Sequence, residues 1–178
     1  MQNVLNTHRL IIRNAQLSEL TDLMRVGHSW EDKHITEGDA FTEDYFIKSI
    51  TEGDLPPIPN ATSDNYRSWS IIKKDTMELI GFMETYMGYP NDDTLWIGMF
   101  LIDSEHQRHN YGQEVIENLN TMFENQNIEK IGVGVSLKNW KGLRFWHKMG
   151  FNSLFSVTGD SNYSDETHAF IGLTKMCL

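Results

Sequence analysis

A single cysteine, Cys177, is all that this chain of 178 residues carries. It excludes an internal disulfide and fits a reducing compartment, and a cysteine so placed reads as bystander rather than nucleophile. No apolar run approaches the roughly 18 residues needed to cross a bilayer. The segment Met1 to Asn6 shows no basic stretch leading into an apolar one, so the expectation is a cytoplasmic protein without a signal peptide. Positive charge is also scarce: Lys and Arg number 15 against 25 Asp and Glu, for a formal net charge of −10. No basic patch stands out, and such a balance argues against nucleic acid and against anionic membranes as partners. Proline is rare and bunched, with Pro56, Pro57 and Pro59 falling in the stretch Gly53 to Asp64, which reads as a long loop.

What is present fits one ordinary domain over residues 1–178, with 39% hydrophobic and 22% charged residues. The acid is uneven. Between residues 31 and 54, eight acids stand against Lys33 and Lys48, which accounts for six of the ten excess negative charges. This is either a solvated helical face or an acidic rim that attracts a cationic amine. His28 and His34, six apart and without partners, read as surface or wall residues rather than metal ligands, and no metal site is expected.

Periodicity gives the order β-α-α-β-β-β-α-β-α-β-β. Strands are expected at His8–Arg13, Trp69–Lys74, Leu79–Tyr86, Leu95–Ile102, Ile131–Val135, Phe151–Val157 and Ala169–Thr174. Helices are expected around Leu17–Met24, over Glu43–Ile50, from Gly112 to Asn125, and over Asn139–Met149. The fold class is therefore α/β (α+β): a mixed, mostly antiparallel sheet of six to seven strands with one parallel pair and helices on both faces.

The informative stretch runs from Phe100-Leu101-Ile102 through a polar turn to Gly112-Gln113. A buried strand ends, and an amphipathic helix begins. The N-terminus of such a helix offers free backbone N–H groups to an anion. Glycine lets the backbone come close to a phosphate, and asparagine is the next-best residue at positive φ. Arg108 and His109 add positive charge. The other reading is a plain exposed turn.

Gln107-Arg108-His109-Asn110-Tyr111-Gly112 resembles the Gln/Arg-x-x-Gly-x-Gly/Ala signature of the GNAT acetyltransferase superfamily, with Asn110 where that signature has glycine. Asn139-Trp140-Lys141-Gly142-Leu143-Arg144-Phe145-Trp146-His147-Lys148-Met149-Gly150-Phe151 resembles the later motif of the same family, with Gly142 for alanine and Met149 for leucine. The resemblance is close over residues 70 to 157 and only a matter of pattern before them.

This resemblance implies acetyl-CoA as the acetyl donor. It implies that the strand Phe100, Leu101 and Ile102 holds the pantetheine arm, and that the turn Gln107, Arg108, His109, Asn110, Tyr111, Gly112 and Gln113 holds the pyrophosphate. Asn139 would bind the cofactor arm, cap the following helix, or both. The parallel strands would splay into a wedge, which Gly132 and Gly134 would keep open unless they serve packing. A bulge near Gly98 or Met99 would widen it. By the same resemblance the chain is a homodimer candidate.

The implied reaction is acyl transfer to a primary amine of a small molecule or protein, by direct attack in a ternary complex. A free alkyl amine titrates near about 10.4, so a carboxylate must take its proton. Glu84 is the expected general base, ahead of Tyr86, Glu105 and His147; the other reading is a paired or solvated glutamate. Where many relatives have a tyrosine acid, this chain has Trp146, whose indole donates a hydrogen bond but transfers no proton. Trp146 reads best as a packing aromatic, and Tyr163 is a substitute acid that nothing in the sequence places. A catalytically weak acyl-CoA-binding module is the alternative. The acceptor pocket is expected among Gly53–Asp64, the early helices and Thr158–His168.

Overall fold

The computed structural model describes residues 4–123 and 127–177. Its strands are β1 (Val4–Asn6), β2 (Leu10–Asn14), β3 (Tyr66–Lys73), β4 (Leu79–Met87), β5 (Thr94–Ile102), β6 (Lys130–Ser136), β7 (Ser153–Gly159) and β8 (Ala169–Met176). They form one sheet in the order β1-β2-β3-β4-β5-β6-β8-β7. Of these neighbours only β5 and β6 run parallel; the rest are antiparallel. The helices are α1 (Leu20–His28), α2 (Lys33–Glu37), α3 (Glu43–Thr51), α4 (Tyr111–Asn118) and α5 (Trp140–Lys148).

The sheet has eight strands rather than the six to seven expected. The extra one is β1, three residues pairing Leu5 with Ile12, too short to show a period. Helix α2 was equally hidden; five residues give little more than one turn. The helix expected over Gly112–Asn125 stops being α-helical at Asn118 and tightens into a 3₁₀ turn over Leu119–Met122. Its expected end, at Asn125, lies outside the described residues.

Helices pack on both faces. On one, α4 and α5 bury Val115, Ile116, Trp146 and Met149 against Met83, Ile97 and Val133. On the other, α1 and α3 bury Leu23, Val26 and Phe46 against Phe82 and Leu101. Each such side chain contributes roughly 1.5–3 kcal/mol by leaving water. Gly27 sits where a Cβ would lie 3.1 Å from Phe41 and Phe46, so its missing side chain lets α1 settle onto those rings. Thr42 caps α3 by accepting the Tyr45 N–H at 3.2 Å. Gly150, with φ near +90°, ends α5 as its position in the motif suggests.

Candidate active site

The two parallel strands are joined for only four residue pairs, from Thr94 opposite Lys130 to Ile97 opposite Val133. Beyond that they part. On the other side of β5 the register skips one residue: Glu84 faces Met99 and Thr85 faces Ile97, so Gly98 is a bulge. This is where the bulge was expected. Extra strand length at the point of separation bends β5 away from β6.

Past Ile97 the β6-side edge of β5 has no strand partner among the described residues. Asp103 donates its N–H to Ile80 on β4 at 2.8 Å. Alternate residues of a strand address alternate edges, so Phe100 and Ile102 turn their N–H and C=O groups toward the gap. The Ile102 carbonyl accepts from Gln107 Nε2 at 2.8 Å. That leaves Phe100 facing the gap, where an amide-bearing chain could pair with it as a strand would.

The turn after β5 is shaped by two non-glycine residues in the left-handed region, Arg108 at φ 67° and Asn110 at φ 63°. Asparagine tolerates that region, which is why the turn survives without the glycine of the motif. Asn110 is the N-cap residue of α4, and no side chain caps that end among the described residues. The first-turn N–H groups at Tyr111, Gly112 and Gln113 have no acceptor within the helix, so they are available to an anion. Arg108 and His109 are exposed beside them. Gly112 keeps an ordinary helical φ; a Cβ there would touch Phe100 and Phe145 at 3.4 Å, so its smallness serves close packing of helix on strand.

Three residues that the sequence did not single out fix this turn. Arg9 donates from Nε to Glu114 Oε2 at 2.7 Å and from Nη1 to the His109 carbonyl at 3.1 Å, with its guanidinium 4.4 Å from the Tyr111 ring centre. Arg25 on α1 pairs with the buried Asp103, whose other oxygen accepts the Glu105 N–H at 3.1 Å. Lys148 Nζ donates to Gln113 Oε1 at 3.0 Å and so brings a cation to the start of α4. Long-range contacts of this sort leave no local pattern to read.

Asn139 is the N-cap of α5, accepting the Gly142 N–H at 2.7 Å. Trp146 is 6% exposed and packs edge-on against Phe145 and Phe151, with Phe100 close by. Gly132 and Gly134 are not spacers for a wedge. Ideal Cβ atoms there would lie 2.9 Å and 3.3 Å from the Trp96 indole, which lies across β6 on the face opposite α4 and α5.

Glu84 is 2% exposed on β4. Its Oε1 accepts from Tyr45 Oη and Ser49 Oγ, both at 2.8 Å. Burial pushes its carboxyl above the usual range; the bonds from Ser49 and Tyr45 oppose that rise, and Asp54 reinforces it. Ser49 also reaches Tyr66 Oη and Ser68 Oγ, at 2.9 Å and 3.0 Å. These hydroxyls open on a polar cleft of about 340 Å³, bordered by Gly53 and Ser63 of the proline-bearing loop. Tyr86 pins the same loop by accepting the Thr62 N–H at 3.1 Å. Glu105 and His147 are exposed, away from this network, and Tyr163 stands 87% exposed on the loop between β7 and β8.

The model of the acetyltransferase (GNAT) family matches residues 28–151, most of the chain. The chain belongs to the GNAT family of acetyltransferases. No curated protein matches its sequence. Solved structures match its fold throughout. An acetyltransferase from Thermus thermophilus superposes with a TM-score of 0.72 at 15% identity, covering 97% of this chain and 100% of the other. The acetyl transferase of Salmonella typhimurium that modifies the N-terminal serine of 50S ribosomal subunit protein L7/L12 gives 0.72 at 12% identity and 96% coverage of both chains. The ribosomal-protein-S5-alanine acetyltransferase of Vibrio fischeri gives 0.67 at 12% identity, covering 98% of this chain and 97% of the other. At these identities the likeness is one of fold. No helix among the described residues of this GNAT chain is long and apolar enough to cross a membrane.

Proposed function

We propose that this GNAT chain acts as one domain that transfers an acetyl group from acetyl-CoA to a primary amine. The observation that carries the reading is the parting of β5 and β6 after four pairs, directly before a turn with two left-handed residues. The residues fit such a donor. The N–H groups at the start of α4, with Arg108, suit a pyrophosphate, and the free Phe100 backbone suits the amide-bearing arm. Acetyl-CoA supplies an acyl group activated as a thioester.

The chain's own residues then do three things. Gln107, Asn110 and Arg9 hold the turn in shape. The bulge at Gly98 keeps the backbone clear of the reacting atoms. Glu84, aided by Tyr45 and Ser49, takes the proton of the amine. Thiolate departs without a protein acid, since a thiol titrates near about 8.5. Amines of proteins, as in the Salmonella and Vibrio enzymes, and small-molecule amines are both within this reading.

The burial of Trp146 at the usual acid position favours a second reading, a binding module that holds acyl-CoA without turning it over. Acceptor-dependent release of CoA separates the two.

Calorimetric titration with acetyl-CoA tests the first step, with Asn110→Gly and Asn110→Val alongside. Glycine keeps the left-handed turn and should keep the affinity; valine cannot hold that φ and should lose it. Absence of wild-type binding would sink the reading, and equal binding by the valine variant would sink the role of the turn.

A further inference from the structure

Above Gly98, on the face of the sheet that carries α1 and α3, one small space is left open. A Cβ built on Gly98 has no neighbour nearer than 4.0 Å, and two atoms lie at that distance: Glu84 Cβ and Trp96 Cδ1. A methylene at that spot would touch both in ordinary van der Waals contact. Gly98 and Gly134 are both solvent-exposed, so the spot opens outward.

Trp96 is built as a platform. Its indole lies along the glycines of β6. Tyr89 meets it edge-on at 5.0 Å and Phe155 at 6.1 Å, and Phe155 itself covers Gly172 of β8. The result is an aromatic surface laid on bare backbone. Trp96 is half-buried and Phe155 is 42% exposed. Among the described residues, the cation–π contacts fall on Tyr111, Trp30, Phe41 and Tyr163, so no lysine or arginine of the chain covers the Trp96 face.

We propose that Trp96 is the acceptor platform of this enzyme, and that it selects an ammonium group carried on an unbranched alkyl arm. The inference rests on the acetyltransferase reading above. The arm lies on the indole, its last methylene over Gly98, and its nitrogen enters beside Glu84. The indole face suits methylenes, and those next to an ammonium share its positive charge, so the ring attracts them as it would a cation. An N-terminal α-amine brings a peptide carbonyl and N–H close behind it. The aromatic surface offers those groups no hydrogen-bond partners, and burying them unpaired is costly. The chain's net charge of −10 also favours a cation over a neutral acceptor. Once bound, the ammonium loses one proton to Glu84; the neutral nitrogen attacks the thioester carbonyl, the carbon–sulfur bond breaks to release the CoA thiolate, and the second proton of the nitrogen passes to that thiolate, giving the amide and the CoA thiol.

Two sources share this chemistry: a lysine side chain in a peptide and a free polyamine. The test uses calorimetry on the full chain saturated with CoA, which cannot react. The probes are spermidine, a lysine peptide with an acetylated N-terminus, and a lysine-free peptide with a free N-terminus. Wild type should bind spermidine or the lysine peptide more tightly than the free-N-terminus peptide, and whichever is tighter names the source. Trp96→Leu keeps apolar cover over the glycines but removes the π face; it should lose about tenfold in affinity for the alkylammonium probe and keep its CoA affinity. Gly98→Val fills the open space, its Cβ meeting Glu84 and Trp96 no closer than 4.0 Å, and should abolish that binding, which keeps the test alive if Trp96→Leu fails to fold. Equal alkylammonium affinity in wild type and both variants overturns the proposal, as does a wild type that binds CoA but prefers the free N-terminus. A wild type that fails to bind CoA at all would instead overturn the acetyltransferase reading on which it rests.

Discussion

Arg9 and Glu114, 105 residues apart in sequence, meet through a 2.7 Å bond between guanidinium and carboxylate, and a second oxygen of Glu114 accepts the Arg9 backbone N–H at 2.7 Å. A carboxylate in the first turn of α4 suits the helix dipole but opposes an incoming phosphate. Arg9 neutralises it and at the same time grips the His109 carbonyl. Arg9→Ala should therefore raise the KM for acetyl-CoA by about fivefold to tenfold, equivalent to about 1–1.4 kcal/mol, with kcat little changed. Steady-state kinetics read this directly. Arg9→Ala/Glu114→Gln should recover part of the loss, because no unpaired carboxylate then faces the phosphate.

Tyr45 and Ser49 bear on pH dependence. Burial raises the Glu84 carboxyl, and their hydroxyls hold it down. In its proposed role as base Glu84 must be ionised, so activity should rise with pH through its folded pKa. Tyr45→Phe removes one of the bonds and should move the acid limb of kcat/KM to higher pH. An unmoved limb would mean that another group sets it.

The same carboxyl affects stability with a definite sign. Its folded pKa lies above its unfolded value, so the native state binds the proton more tightly than the unfolded chain. Its contribution is then most favourable at low pH and declines as pH rises through the folded value. Glu84→Gln should raise the denaturation midpoint at pH 8 more than at pH 5. It should also cut kcat by roughly 10²-fold or more, while acetyl-CoA affinity stays near wild type.

Asn139 has two candidate duties that substitution can part. Asn139→Ala removes the cap and should cost about 1 kcal/mol of stability. Asn139→Asp still accepts the Gly142 N–H and should keep that stability. If aspartate also lowers acetyl-CoA affinity, a donor from the asparagine amide reaches the ligand; if affinity holds, the residue serves as a cap.

How much of this was readable depends on range. The turn at Gln107–Gln113 and the cap at Asn139 are local, and their residue types state their geometry. A bulge was expected near Gly98 or Met99, and the skipped register places it at Gly98. Gly132 and Gly134 looked alike in sequence but do something different: they admit the Trp96 ring from the neighbouring strand, a contact that no local period encodes. The hydroxyls around Glu84 come from α3 and β3, and strand β1 and helix α2 are too short to carry a pattern. The architecture was thus within reach of sequence, while the partners of each polar group were not.

Placing Ala at Gly132 checks that distinction. Its Cβ would sit 2.9 Å from the indole, so Gly132→Ala should cost about 1–3 kcal/mol by overpacking. Chemical denaturation measures it, with Gly98→Ala as the tolerated counterpart.

The four pairs that join β5 to β6 are also, among the described residues, the only strand pairing between β1–β5 and β6–β8. A sheet sewn together so briefly can open there while each half keeps its own ladder, and amides along the seam should exchange with solvent sooner than those of β3 or β4. A donor molecule lying in the gap would act as a missing stitch. Slower exchange at Leu95–Ile97 and Ile131–Val133 on adding acetyl-CoA would then report ligand and sheet as one cooperative unit.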